Sequence, residues 1–238
     1  MSEFSRISGV FFEPGKTFED IGRRPSWLVP MLLMIAAGLA YYVSYGQHVG
    51  WERFLQRQME ISPKAAERMA QVPAEKRDST IALQAKVTGI SYYVGTVIGT
   101  PLIMVISSAI LLGITAMMSA GLKFKQIFAI TAYAGLPVIL KHALSLVVMF
   151  LKKPDDFNLM NPLAFNPGAF MDPVSSSKFT YTIASALDLF AIWGIILTAI
   201  GLKAAAGKRL SMAGALTAVI IPWAVFVLFG ASMASMFS

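Results

Sequence analysis

Five long apolar runs, separated by short polar or basic stretches, are the feature that most narrows what this 238-residue chain can become. A run of about 20 apolar residues matches the hydrocarbon thickness of a bilayer, and backbone inside lipid must satisfy its hydrogen bonds within its own segment. The sequence therefore predicts an all-α polytopic membrane protein, a bundle of about five transmembrane helices. With 56% hydrophobic and only 14% charged residues, the composition is too apolar for an ordinary water-soluble domain.

The first run, about 27 to 47, opens on Trp27 and closes on Tyr41, Tyr42 and Tyr45, as expected of aromatic residues at the two membrane surfaces. The second, about 89 to 119, carries Gly95, Gly99 and Gly113; the first two form a small-xxx-small pair that permits close helix contact. The third, about 126 to 151, is the most polar and holds Tyr133, Gly135, Pro137, Lys141 and His142. The fourth, about 179 to 202, contains Asp188, Trp193 and Gly194, and the fifth, about 212 to 237, is broken by Pro222. Gly95, Gly99, Gly113, Gly135 and Gly194 are the expected helix-packing positions. Pro101, Pro137 and Pro222 are the expected kinks, which would open room for lipid.

Outside the runs, residues 1–26 read as an interfacial N-terminal segment of two short surface helices, and 27–238 as the five-span membrane domain. Phe4, Ile7 and Phe11 are expected to dip into the interface while Arg6, Lys16, Arg23 and Arg24 face headgroups. Between the first two runs lies a polar insert, 48–88. In it Trp51, Phe54, Leu55 and Met59 share one helical stripe, either a partner docking face or a surface packed on the chain's own exterior, the second being the commoner use of such stripes. Ser62 before Pro63 marks a helix start, and a further helix beginning near Ala74 would feed into the second span.

The basic residues of the short connections decide sidedness. Arg6, Lys16, Arg23 and Arg24, then Lys123 and Lys125, then Lys203, Lys208 and Arg209 fall on one side, which predicts a cytoplasmic N-terminus and a C-terminus outside. The formal net charge of +7 is scattered between apolar segments instead of forming one face, so anionic headgroups rather than nucleic acid are the expected partner.

Charges within hydrocarbon are costly unless paired or hydrated, which singles out Lys141, His142 and Asp188. At about 1.5 Å per residue, Lys141 in the third span and Asp188 in the fourth fall roughly 14 to 15 Å below the same surface. An ion path would use Asp188 as carrier, His142 as shuttle and Lys141 as counter-ion; a structural bridge would simply hold two spans in register. A single pair, with no further acids marking a path, fits the bridge better.

Little else offers chemistry. The chain has no Cys and only two His, which removes thiolate ligands, disulfides and cysteine nucleophiles. The stretch from Gly201 to Lys208 has one residue too many for a phosphate loop, and Arg209 stands where Ser or Thr is required. No catalytic residue, metal site or cofactor is expected, and the chain reads as a non-enzyme.

Several stretches carry a resemblance. Phe12-Glu13-Pro14-Gly15-Lys16-Thr17-Phe18 with Pro25-Ser26-Trp27, Phe128-Ala129-Ile130-Thr131-Ala132-Tyr133-Ala134-Gly135-Leu136-Pro137, Leu187-Asp188-Leu189-Phe190-Ala191-Ile192-Trp193 and Pro222-Trp223 together resemble the bacterial branch of the Yip domain family, named for Ypt-interacting membrane proteins. The likeness covers nearly the whole chain except the insert. It implies five spans and a cytoplasmic N-terminus. Eukaryotic relatives are associated with Rab-type GTPases, largely through a longer cytosolic N-terminal region; only about 26 residues stand before the first run here, which argues against GTPase binding. The resulting expectation is a scaffold or assistant for other membrane proteins, or for a second copy of itself, with a small transporter using Lys141, His142 and Asp188 as the alternative.

Overall fold

A computed structural model describes residues 1–237. Among the described residues the fold is all-helical, with five helices long and apolar enough to cross a membrane: Leu28–His48, Ala74–Met117, Phe124–Leu151, Leu189–Arg209 and Met212–Met236. The protein is a multi-pass membrane protein. Its helices are α1 (Glu3–Phe12), α2 (Pro14–Arg23), α3 (Leu28–His48), α4 (Trp51–Ile61), α5 (Pro63–Ala70), α6 (Ala74–Val94), α7 (Thr100–Met117), α8 (Phe124–Ala134), α9 (Pro137–Leu151), α10 (Lys178–Ala186), α11 (Leu189–Ala206) and α12 (Met212–Phe237).

The helix boundaries follow local chemistry. Ser62 accepts from the Ala65 N–H at 3.4 Å and Pro63 supplies the first turn of α5, as its sequence foretells. Pro101 stands in the first turn of α7 directly after the Gly95–Gly99 π turn, Pro137 opens α9 just after the end of α8, and Pro222 lies inside α12. Between α6 and α7 the chain widens into one π turn over Gly95–Gly99. The fourth apolar run departs from its expected form. It is two helices, α10 and α11, separated at Leu187 and Asp188, and Asp188 occupies the position just before α11. A carboxylate is favoured at a helix N-terminus and disfavoured inside one, so a continuous apolar run breaks at its one acid.

The chain divides into two compact units. The first comprises Met1–Ala37, Val97–Lys141 and Leu189–Phe226. Its core places Phe18 and Ile21 of α2 against Ile127, Ile130 and Tyr133 of α8 and Leu197 and Leu202 of α11. Gly201 makes that approach possible: a Cβ there would collide with Ile130 and lie 3.0 Å from Phe18 Cδ1. Gly22 meets Ala205 in the same way, where an added Cβ would sit 3.0 Å from the alanine Cβ. Gln126 joins two elements, its Oε1 accepting from the Lys123 N–H at 2.9 Å and its Nε2 donating to the Gly22 carbonyl at 2.8 Å.

The second unit comprises Gly38–Thr96, His142–Asp188 and the chain from Val227 on. Its core is aromatic. Trp51 stacks on Tyr92 at 4.8 Å, meets Tyr45 at 5.0 Å and donates its indole N–H to Tyr93 Oη at 3.1 Å. Gly46 and Gly89 accommodate that indole, since a Cβ at either would come within 2.7 Å of Trp51 Nε1. In the 152–177 connection, Asn166 caps a short 3-10 turn, Pro167–Phe170, by accepting from the Ala169 N–H at 3.0 Å.

Candidate functional site

The first unit holds a connected polar group that the sequence does not single out. Arg6, expected among headgroups, is only 4% exposed. Its Nε and Nη2 donate to Asp20 Oδ2 at 2.8 and 2.7 Å, and its Nη1 donates to Ser26 Oγ at 2.7 Å. Ser26 Oγ donates to Glu3 Oε1 at 2.7 Å, and the Tyr133 hydroxyl donates to Glu3 Oε2. Five side chains from α1, α2, the 24–27 link and α8 thus close into one clasp. The burial that makes a lone guanidinium expensive explains why the arginine turns inward only where two carboxylates await it.

The electrostatics agree with the geometry. Burial opposes ionisation of Glu3, but hydrogen bonds from Tyr133 and Ser26 and the charge of Arg6 outweigh it and hold the carboxyl below its ordinary value. Burial likewise opposes ionisation of Asp20, and its hydrogen bonds and charge contact with Arg6 overcome that and hold it low. For Arg6 burial acts downward, and Asp20 more than compensates, so the guanidinium stays charged at any physiological pH.

With Arg6 turned in, the outer face of α1 presents two aromatic rings beside Ser5: Phe4 is 81% and Phe12 85% exposed. Ile7 and Phe11 pack inward, Phe11 edge-on to Trp193 at 5.5 Å. Of the residues expected to dip into the interface, then, only Phe4 faces outward, and Phe12 takes the place of Ile7 and Phe11.

In the intramembrane trio, Lys141 and His142 are half-buried on α9, and Asp188 is buried in the gap between α10 and α11. His142 stacks on Tyr41 at 5.0 Å. The apolar stripe of the insert faces the chain itself: Trp51 is buried, Phe54 and Leu55 pack with it, and Met59 is half-buried. The packing glycines divide into two groups. A Cβ at Gly135 would lie 2.8 Å from Met34 Sδ, and one at Gly194 would lie 3.4 Å from the Ala134 carbonyl oxygen, so both are in contact with neighbouring helices. Around Gly95, Gly99 and Gly113 a Cβ would meet nothing within 4 Å. Among the described residues no three His, Cys, Asp or Glu side chains lie close enough to hold a metal ion.

The segments that suggested a family converge on the first unit. Pro14 opens α2, Phe18 fills its core, Ser26 joins the clasp, Trp27 lies edge-on to Phe128 at 5.2 Å, and Tyr133 reaches back to Glu3. A family model described as the Yip1 domain matches residues 8–233. The chain belongs to the Yip1 domain family. No curated protein and no solved structure matches it.

The Yip1 match takes in Asp20, Ser26 and Tyr133 of the clasp, whereas Glu3 and Arg6 stand before it. It also runs through the 48–88 insert, which the motif resemblance had left aside. What the sequence did not disclose was the clasp. Its only local sign is the Glu3 to Arg6 spacing of three residues on one helix, a spacing that surface helices share. Asp20 and Tyr133 reach it from α2 and α8, at separations no local pattern records.

Proposed function

We propose that this Yip1-domain chain is a non-enzymatic membrane protein that scaffolds or assists other membrane proteins, or a second copy of itself. The observation that carries the reading is the open ground at Gly95 and Gly99. Only 17% of the most apolar 18-residue stretch of the Ala74–Met117 span is buried within the chain, and large apolar side chains flank the two glycines, with Val94, Val97, Ile98, Leu102 and Ile103 all exposed. Small residues on such a helix let a neighbouring backbone approach closely, which is how helices associate where the hydrophobic effect offers no drive. Replacing both, Gly95→Leu with Gly99→Leu, is expected to abolish co-purification of a partner or a second copy from mild detergent. Full retention of every association in the double variant would remove this face from the account.

A transporter reading has one observation in its favour: a buried Asp188 at a break between two helices, the kind of place where membrane proteins hold ions. We favour a structural role for Lys141, His142 and Asp188. Asp188→Asn should then lower the yield of folded protein and leave ion flux in proteoliposomes unchanged, whereas a lost, pH-dependent flux would favour transport.

For sidedness we propose the N-terminus in the cytoplasm of a bacterial inner membrane. Supporting this, the contacts Gly22 to Gln126 and Gly121 to Arg209 gather the end of α2 and both short basic connections within the first unit. Arg23, Arg24, Lys123, Lys125, Lys203, Lys208 and Arg209 all belong to it. The division of the chain into an interfacial 1–26 segment and a membrane domain with the 48–88 insert is kept as part of the same proposal.

A further inference from the structure

A cleft of about 200 Å³ opens in the second unit between α4 and the Pro154–Asp156 turn. It is smaller than the ~300 to 1,000 Å³ of pockets that take drug-sized ligands. Arg53, Gln56, Arg57 and Glu60, spaced at i, i+3, i+4 and i+7, present one face of α4 to it. Opposite stand Pro154, Asp155 and Phe157, with Tyr45 and Val49 as the floor.

Two features define what such a cleft suits. The first is charge balance. Two guanidiniums face two carboxylates, Asp155 and Glu60, so the site is dipolar rather than cationic. Asp155 meets both arginines, its carboxylate standing in for an anion on Arg53 only: Arg53 Nε meets Asp155 Oδ1 at 3.0 Å, and Arg57 Nη1 donates to the Asp155 backbone carbonyl oxygen at 3.2 Å. The Arg53 and Asp155 side chains are well exposed, so water screens their pair and its rearrangement costs little. The second feature is the floor. Tyr45 and Phe157, 6.0 Å apart between ring centroids and each only 2% exposed, close the base of the cleft with apolar surface beneath its charged rim. Tyr45 lies in the last turn of the α3 span, and Pro154 follows the end of α9 by three residues, so the cleft sits where chain leaves hydrocarbon.

We infer that this cleft binds a phosphoethanolamine group, the zwitterionic headgroup of an aminophospholipid. Its phosphate lies against the Arg53 and Arg57 forks, which match phosphate oxygens in pairs. Its ammonium lies between the carboxylates of Glu60 and Asp155. A purely anionic headgroup gains the arginines but meets two carboxylates, and is the poorer ligand.

Native mass spectrometry of the full chain, released from bilayers of equal phosphatidylethanolamine and phosphatidylglycerol, tests this. The expected result is preferential retention of phosphatidylethanolamine. Its retention should fall about tenfold or more in Arg53→Gln with Arg57→Gln, the loss expected for charge-assisted hydrogen bonds, and stay unchanged in the α5 control Arg68→Gln. Should the double variant fold poorly, Asp155→Asn removes one negative charge and must shift retention towards phosphatidylglycerol. Competition by soluble phosphoethanolamine at concentrations that leave lipid elsewhere undisturbed assigns the natural ligand to the aqueous phase; lack of competition assigns it to the leaflet. Equal retention of both lipids by the natural sequence, or retention indifferent to the arginines and to Asp155, overturns the inference.

Discussion

At the scale of single residues, Arg6 ties α1 to α2 and to the 24–27 link from a buried position. Truncating it leaves Glu3 without its cation and Asp20 with only the N-terminal ammonium, so Arg6→Ala should destabilise the first unit by about 1 to 3 kcal/mol, the cost of orphaning such groups. Thermal unfolding in detergent measures this, and limited proteolysis should show α1 cut first. The clasp also has a pH sign. Glu3 and Asp20 ionise more readily folded than unfolded, so their contribution is complete above the ordinary carboxylate range and fades as pH falls through the lowered values. Protease sensitivity of α1 should therefore rise on acidification below that range and stay flat between pH 6 and 8. Sensitivity that rises on alkalinisation would contradict the assignment.

At the scale of elements, legibility followed the range of the interaction. Turn chemistry is local, and Ser62-Pro63 set the start of α5. Hydropathy is local too, and five runs gave five candidate spans. The misreadings arose where a distant partner reverses a local preference. Arg6 looks solvent-facing until Asp20 is beside it, whereas the stripe of Trp51, Phe54 and Leu55 packs on the chain itself against Tyr45 and Tyr92, the commoner of its two expected uses. In the fourth run, hydropathy averaged over Asp188 concealed a break that one carboxylate imposes. Of the candidate sites, the sequence exposed the glycines and the trio, whose residue types are unusual for their surroundings. It concealed the cleft under α4, which needs the 154–157 turn to complete it. The docking of α2 offers the sharpest test at this scale. Gly201→Leu inserts a side chain where even a Cβ collides with Ile130, so hydrogen exchange in α2 should accelerate by an order of magnitude or more while α4 stays protected. Unchanged exchange in α2 would mean that Phe18 and Gly201 do not meet.

At the scale of the whole molecule, the Yip1-domain chain holds its helices with the Arg6 clasp in the first unit and an aromatic core in the second. The central claim is that the chain crosses the membrane five times from a cytoplasmic N-terminus. The absence of native Cys makes it directly measurable, because every introduced thiol reports alone. Single variants Ser5→Cys, Ser79→Cys, Ser119→Cys, Ser175→Cys and Ser211→Cys would be exposed, in intact cells opened only at the outer membrane, to a membrane-impermeant thiol reagent. The account predicts labelling at 79 and 175, and protection at 5, 119 and 211 until the inner membrane is permeabilised. Labelling of 5 or 211 in sealed cells, or protection of 79 together with 175, would contradict it.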